Sequence, residues 1–352
     1  MFLVTTILSF IITTNFLIFV HEFGHYFCAR WCGVYVQEFS IGLGKELFSF
    51  LDKNLTRWKV CILPLGGFVR MQQHSQNSKD KKNYNNQPII NKILIVLAGP
   101  AANFIFALAA LTFLGSTYGK YTISSIVDRV IPGSAAHKAG IYEGDLITEV
   151  AGVKVYNFLD TMLIAFNYPD VPINVILERD NQLIEKNIVP QTKLYKLNGG
   201  EIKIGDLGIR GKLVHIRGTL LNSMLESVSY TVKLSKLIFI TLWQKLTGQN
   251  SAAEVVGIVG IAYESSKAIS RGGSNFLYFL VNLSISLGLM NLLPIPPLDG
   301  GRLLYLMYEI IAGRRSINLT VYNITMQLGT AIIIFLIVIS VSNDIKNLLF
   351  KF

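Results

Sequence analysis

Charge is scarce in this chain. Only 15% of its 352 residues are Asp, Glu, Lys or Arg, against roughly 25% in soluble domains, which excludes an ordinary water-covered globule. Cysteine is scarce too. Cys28, Cys32 and Cys61 form an odd set in one short stretch, which excludes a disulfide framework and reads as reduced thiols. Ten prolines and no glycine period exclude collagen-like or disordered character. Acidic side chains number 22 against 32 basic ones, and residues 28–92 alone hold ten basic and four acidic. Beside apolar runs, such a bias sets membrane orientation. It is not read as a phosphate-binding surface, so no nucleic-acid partner is expected.

Apolar sequence is abundant, at 51% of residues. Four uncharged runs suit the ~20-residue helix that a ~30 Å hydrocarbon layer requires: residues 1–20, continuing past Gly24, then 93–114, 276–293 and 321–341. A cleaved signal peptide fits the first run poorly, because no basic segment precedes it and the helical pattern continues through His21 and Glu22. The basic 28–92 loop, with Arg302, Arg314 and Arg315, is expected on the cytoplasmic side. Both termini and the stretch 120–271, with seventeen basic and fourteen acidic residues, are then external.

Within that stretch, residues 123–130, 146–150, 171–177 and 183–189 read as strands between turns at Pro132-Gly133 and Gly152, a small α+β domain. Residues 221–246 predict an amphipathic helix lying on the membrane face or packed on the small domain. Small residues in 256–262 suit either close helix packing or a loop. Lys79, Lys81 and Lys82 suit either anionic lipid headgroups or a solvated loop. The expected divisions are a membrane core at 1–118, a small domain at 119–195, a linker and amphipathic helix at 196–274, and a second membrane core at 275–352.

The chemistry concentrates in His21-Glu22-Phe23-Gly24-His25, an H-E-x-x-H sequence. Residues four apart share one helix face, so both imidazoles can reach one metal ion while Glu22 stands beside its bound water. Ionisable groups at the end of a membrane span are costly and usually functional. Zinc suits imidazole and carboxylate ligands, and a catalytic site takes three from the protein. For the third, His74, His137 and His215 are candidates by type, and Cys28 and Cys32 share the helical stripe of His25. Asp299 is better placed, at the end of the third run and at the depth of His21 and His25, although it could also cap a helix. Pro294, Pro296 and Pro297 break helical hydrogen bonding there, which a membrane tolerates only inside protein or beside a watery cavity. Asn291 could serve an oxyanion or a substrate backbone, or bridge two helices.

These motifs resemble the site-2 protease family of intramembrane zinc metalloproteases, in its bacterial regulator-of-sigma-E branch. HEFGH is similar to the family's zinc helix, which implies His21 and His25 as ligands and Glu22 as general base. NLLPIPPLDGG, residues 291–301, resembles its N-x-x-P-x-x-x-x-D-G motif, which implies Asp299 as third ligand and Asn291 and Pro294 near substrate. RWKVCILPLGGFVRM, residues 57–71, resembles its re-entrant β-hairpin, with Gly66 and Gly67 at the turn and against substrate. AGPAAN, residues 98–103, resembles its second-span signature, and residues 121–190, with PGSAAHKAGIYEGD, resemble one circularly permuted PDZ domain where some members have two.

The resemblance implies a multi-pass α-helical membrane protein with four transmembrane helices, a membrane-associated β-hairpin and an inserted PDZ-like domain. It implies Zn2+ as cofactor and the bacterial cytoplasmic membrane as location. Single-span membrane proteins are the implied substrates, cut within the bilayer as the second cleavage of an anti-sigma factor or as signal-peptide remnants. A peptide C-terminus is the implied ligand of the PDZ-like domain. The competing reading, a silent PDZ-bearing scaffold, has no use for a complete metal motif.

Overall fold

The computed structural model describes residues 2–72, 82–197, 200–247, 257–313 and 318–350. His74, Lys79, Lys81, Val256, Arg314 and Arg315 lie outside them. The chain divides into two compact units, one of residues 1–116 and 219–352, the other of residues 117–218.

The first unit opens with α1 (Phe2–Trp31). Gly33, at φ +78°, ends it: Gly33 N–H donates to Arg30 O and Val34 N–H to Ala29 O, the paired bonds of a glycine-terminated helix. Two long strands follow, β1 (Val36–Leu51) and β2 (Arg57–Met71), paired antiparallel around a turn at 52–56. The stretch expected to be a self-contained hairpin at 57–71 is therefore one strand whose partner is β1. Its first part lies between two stretches of β1, with Arg57 and Val60 across from Leu51 and Phe48 on one side and from Glu38 and Ile41 on the other. Its last part lies opposite the start of β1, with Gly67 across from Ile41 and Met71 from Val36. Gly66, at φ +100°, is a bend inside β2 and not a hairpin turn. Leu47, Phe48, Phe50, Leu51 and Leu55 are all more than half exposed. That apolar tip suits contact with lipid.

Next comes α2 (Ile89–Thr117), with Pro100 inside it. The second unit is built from β3 (Lys120–Val130), α3 (Ala135–Lys138), β4 (Leu146–Val150), β5 (Val153–Lys154), α4 (Phe158–Phe166), β6 (Ile173–Arg179), β7 (Gln182–Ile188), β8 (Gln191–Leu197), β9 (Gly200–Asp206) and β10 (Ile209–Ile216). Its main sheet runs β10-β3-β4-β6-β7, with β5 on β4, around a core of Val127, Ile147, Val150, Val175, Leu177 and Ile188. The unit runs past the 195 boundary expected for it because β10 pairs with β3, Ile216 opposite Lys120 and His215 opposite Tyr121.

Back in the first unit are α5 (Leu220–Leu246), α6 (Ile258–Ser270), α7 (Gly273–Asn291), α8 (Asp299–Ile311) and α9 (Leu319–Phe350). Among the described residues, four helices are long and apolar enough to cross a membrane: 4–31, Ile89–Thr117, Gly273–Asn291 and Leu319–Ser342. The amphipathic α5 belongs to the helical unit. It is seated on α2 and α7, where Tyr230 OH donates to Asn282 Oδ1 at 2.7 Å, Ser227 Oγ lies 3.1 Å from Thr112 Oγ1, and Leu234 and Ile238 pack on Ala107, Leu111 and Val281. A side chain on Gly115 would strike Ser223, so α2 ends against the start of α5. The 257–262 segment opens α6. Asp344 of α9 accepts from Gly257 N–H and Gly260 N–H, both at 2.9 Å, supplying the cap that Gly257 cannot. Ser9 of α1 meets Ser265 of α6 at 3.0 Å.

Candidate active site

His21 and His25 stand one turn apart on the buried stripe of α1. Asp299 reaches them from the first residue of α8. Between α7 and α8 the three prolines prevent a continuous helix, and residues 292–298 fold back through bonds such as Leu298 N–H to Ile295 O. Gly300 and Gly301 make that fold-back possible: a Cβ on either would lie within 2.6 Å of the backbone of residues 292–296. Asp299 is not the helix cap, since Leu298 holds that position with no side-chain bond.

The three side chains converge. His21 Nε2 lies 3.1 Å and His25 Nε2 3.2 Å from Asp299 Oδ2, and the two Nε2 atoms are 3.3 Å apart. Ligands about 2.0–2.1 Å from a tetrahedral ion stand roughly 3.3 Å from one another, so the spacing fits zinc. Asp299 Oδ2 is buried without a hydrogen-bond partner. Lone pairs that face each other in a dry site call for a cation among them.

The outer ring nitrogens are also held. His25 Nδ1 lies 2.7 Å from Ile95 O, next to the Val96 carbonyl that Pro100 cannot serve. His21 Nδ1 lies 3.1 Å from the side-chain amide of Asn103. The amide nitrogen Nδ2 is the atom facing the ring, and Oδ1 is buried without a partner; with the amide turned over, Oδ1 would accept from the Nδ1 proton and leave Nε2 a lone pair for metal. Two close approaches bring α2 to α1: a Cβ on Gly24 would sit 2.2 Å from Ala98 O, and one on Gly99 would sit 2.3 Å from His25 Nε2. Glycine alone leaves the imidazoles their place.

Glu22, half-buried, shares α1 with the two histidines. Across from it is Gly67 of β2, where a Cβ would meet Glu22 Cγ at 3.1 Å and Ser40 O at 2.7 Å. A cleft of about 960 Å³ opens beside the site, walled by His25, by Phe68, Val69 and Arg70 of β2, and by Tyr84 and Arg302. Burial pushes the Tyr84 phenol up to about 12, so it stays a hydrogen-bond donor.

A model of peptidase family M50 matches residues 9–336. The chain belongs to peptidase family M50. This is the site-2 protease family that the motifs implied. Relatives include a protein of Rickettsia conorii named "Putative zinc metalloprotease", 37% identical over 97% of this chain and 99% of that one. One of the same description from Agrobacterium fabrum is 32% identical over 99% and 97%. Metalloprotease MmpA of Caulobacter vibrioides is 29% identical over 98% and 97%. This M50 peptidase is a zinc metalloprotease and a multi-pass membrane protein. His21, His25 and Asp299 are the group among its described residues able to hold the ion.

Of the other expected site residues, Gly67 is at the centre, while the nearest neighbour of a Cβ on Gly66 would be Leu43. Asn291 Nδ2 donates to Leu287 O on its own helix at 3.0 Å, and Pro294 is exposed. Neither is joined to the metal ligands by a hydrogen bond or ion pair among the described residues. Cys28 and Cys32 pack around Ala29, Val34 and Ile95. His137 and His215 belong to the second unit, where His215 Nε2 lies 2.6 Å from Tyr118 O. Sequence reasoning missed Gly99, Asn103 and Ile95. The first two lie in the 98–103 segment that carried a resemblance but no assigned role.

Proposed function

We propose that this M50 peptidase is an intramembrane endopeptidase that hydrolyses peptide bonds within the transmembrane segments of single-span proteins. The observation that carries the reading is the convergence of Asp299, at the head of α8, on His21 and His25 of α1, a helix long and apolar enough to cross a membrane, with Glu22 alongside. Zinc held there would supply Lewis-acid polarisation of the scissile carbonyl and acidify a water. Glu22 accepts a proton from that water and returns it to the leaving amine. Bilayer substrate is helical, its peptide bonds already hydrogen-bonded, so it must unwind before attack. The 67–71 end of β2, beside Glu22 and along the cleft, offers strand pairing to the freed backbone. Asn291 and Pro294 lie on the segment leading to Asp299, where a substrate would pass.

The physiological role that fits is the second cut of an anti-sigma factor, or clearance of signal-peptide remnants, at the bacterial cytoplasmic membrane. The basic charge of 28–92 supports an orientation with that loop inside and the termini and the 117–218 unit on the external, periplasmic side. That unit, read as PDZ-like, screens substrate ectodomains or takes up their new C-termini. The test is cleavage of a tagged single-span substrate by purified protein in detergent, wild type against Glu22→Gln, with zinc measured in both. Equal zinc and cleavage by wild type alone are expected. Cleavage by both variants, or zinc in neither, overturns the reading.

A further inference from the structure

Arg302 stands in the cleft wall one turn beyond Asp299 and is not accounted for by the metal centre. Its guanidinium is 3.8 Å from Asp299 Oδ1, and the side chain is 57% exposed. That separation is well beyond the ~2.7–2.9 Å of a charge-assisted hydrogen bond. Asp299 is its one ion-pair partner among the described residues. The other charges of the cleft are already balanced: Arg70 leans 3.4 Å from Glu38, and Glu309 lies 3.7 Å from Lys92. Arg302 is also near enough to Glu22 and to Tyr84 to act on both electrostatically. A planar cation with open donors, one carboxylate's width from the imidazoles, is therefore aimed into the space where cleaved peptide would lie.

Hydrolysis adds one water across the C–N bond and leaves an amine on one fragment and a carboxylate on the other. We propose that Arg302, with the Tyr84 hydroxyl in the same wall, is the binding site for that new carboxylate, so that the cleft holds peptides ending in a free acid. The geometry suits a bidentate guanidinium–carboxylate pair, which Lys would reproduce only in part. This rests on the protease reading for the origin of the ligand, but its test does not require turnover.

The experiment uses the full chain carrying Glu22→Gln, zinc-loaded, in detergent. The probes are fluorescein-labelled hexa-alanine with a free C-terminal carboxylate and the same peptide as its C-terminal amide, both followed by anisotropy. The free acid should bind about tenfold tighter than the amide, as one added charge-assisted bond implies. Adding Arg302→Gln should remove most of that ratio, Arg302→Lys should keep part of it, and amide affinity and zinc content should not move. A ratio unchanged by Arg302→Gln overturns the proposal and assigns the carboxylate to the metal. No binding of either peptide, or no preference for the acid before the second substitution, overturns it equally. Failure of the protease reading shows separately, as zinc-loaded wild type that does not cut its transmembrane substrate.

Discussion

Gly99→Ala adds one methyl group, and the structure says where it goes. The new Cβ would lie 2.3 Å from His25 Nε2, 2.5 Å from His25 Cε1 and 2.9 Å from His21 Cε1. Carbon atoms make ordinary contact at about 3.5–4.0 Å, so the His25 ring must retreat by roughly 1 Å. Metal–ligand distances tolerate only about 0.2 Å. Retreat of the whole helix is opposed by β2 on its other side, where Gly67 already crowds Ile18 and Glu22, and would break the bond of His25 Nδ1 to Ile95 O. One of three ligands is thus forced out of reach, and zinc affinity should fall at least 100-fold, or about 2.7 kcal/mol. Competition with a fluorescent chelator gives the affinity, and a circular-dichroism melt reports whether the helices persist. If Gly99→Ala holds zinc within threefold of wild type, the account of α2 as the wall of the metal centre is wrong.

Asn103→Ala should lower zinc affinity or cleavage by about 10–100-fold through loss of the group that orients His21, as measured in the same competition and cleavage assays. Asp344→Ala should destabilise the helical unit by about 1–2 kcal/mol, since α6 loses the carboxylate on Gly257 and Gly260, and the melt should show it as a lowered Tm with a smaller loss for Asp344→Asn. At the β1–β2 turn, burial works against charge on Asp52, but bonds from Trp58, Thr56, Asn54 and Tyr26 outweigh it and hold the carboxyl below its ordinary value. A depressed carboxyl stabilises the fold above its unfolded pKa of about 3.9 and loses that contribution as pH falls through the folded value. Tryptophan fluorescence should therefore stay flat from pH 7 to 5 and change below about pH 4, and Asp52→Asn should remove the transition.

The four spans and the metal ligands were legible because both are local in sequence: uncharged runs and an i, i+4 histidine pair need no tertiary information. Asp299 was reachable because the prolines before it mark a broken helix at a defined depth. The partner of residues 57–71 was not legible. β1 carries Glu38, Lys45 and Glu46 among its apolar residues, and its pairing with both ends of β2 is a long-range choice made by the fold. The seat of α5 on α2 and α7 was hidden for a similar reason: its Ser223, Ser227 and Thr231 are buried, although their polarity reads as a water-facing stripe. Gly99 and Asn103 escaped notice because a glycine's absent side chain and an amide's bond to a histidine 82 residues away leave no periodic trace.

The pairing of β3 with β10 has an architectural consequence. The inserted unit begins and finishes on neighbouring positions, Lys120 opposite Ile216, while on the helical side Gly115 abuts Ser223. Both severed faces present ends that a few residues can bridge. The insert has the ends of a cassette: an exchange or duplication there would leave the register of the hydrolytic core untouched, so the two units are free to evolve on separate clocks.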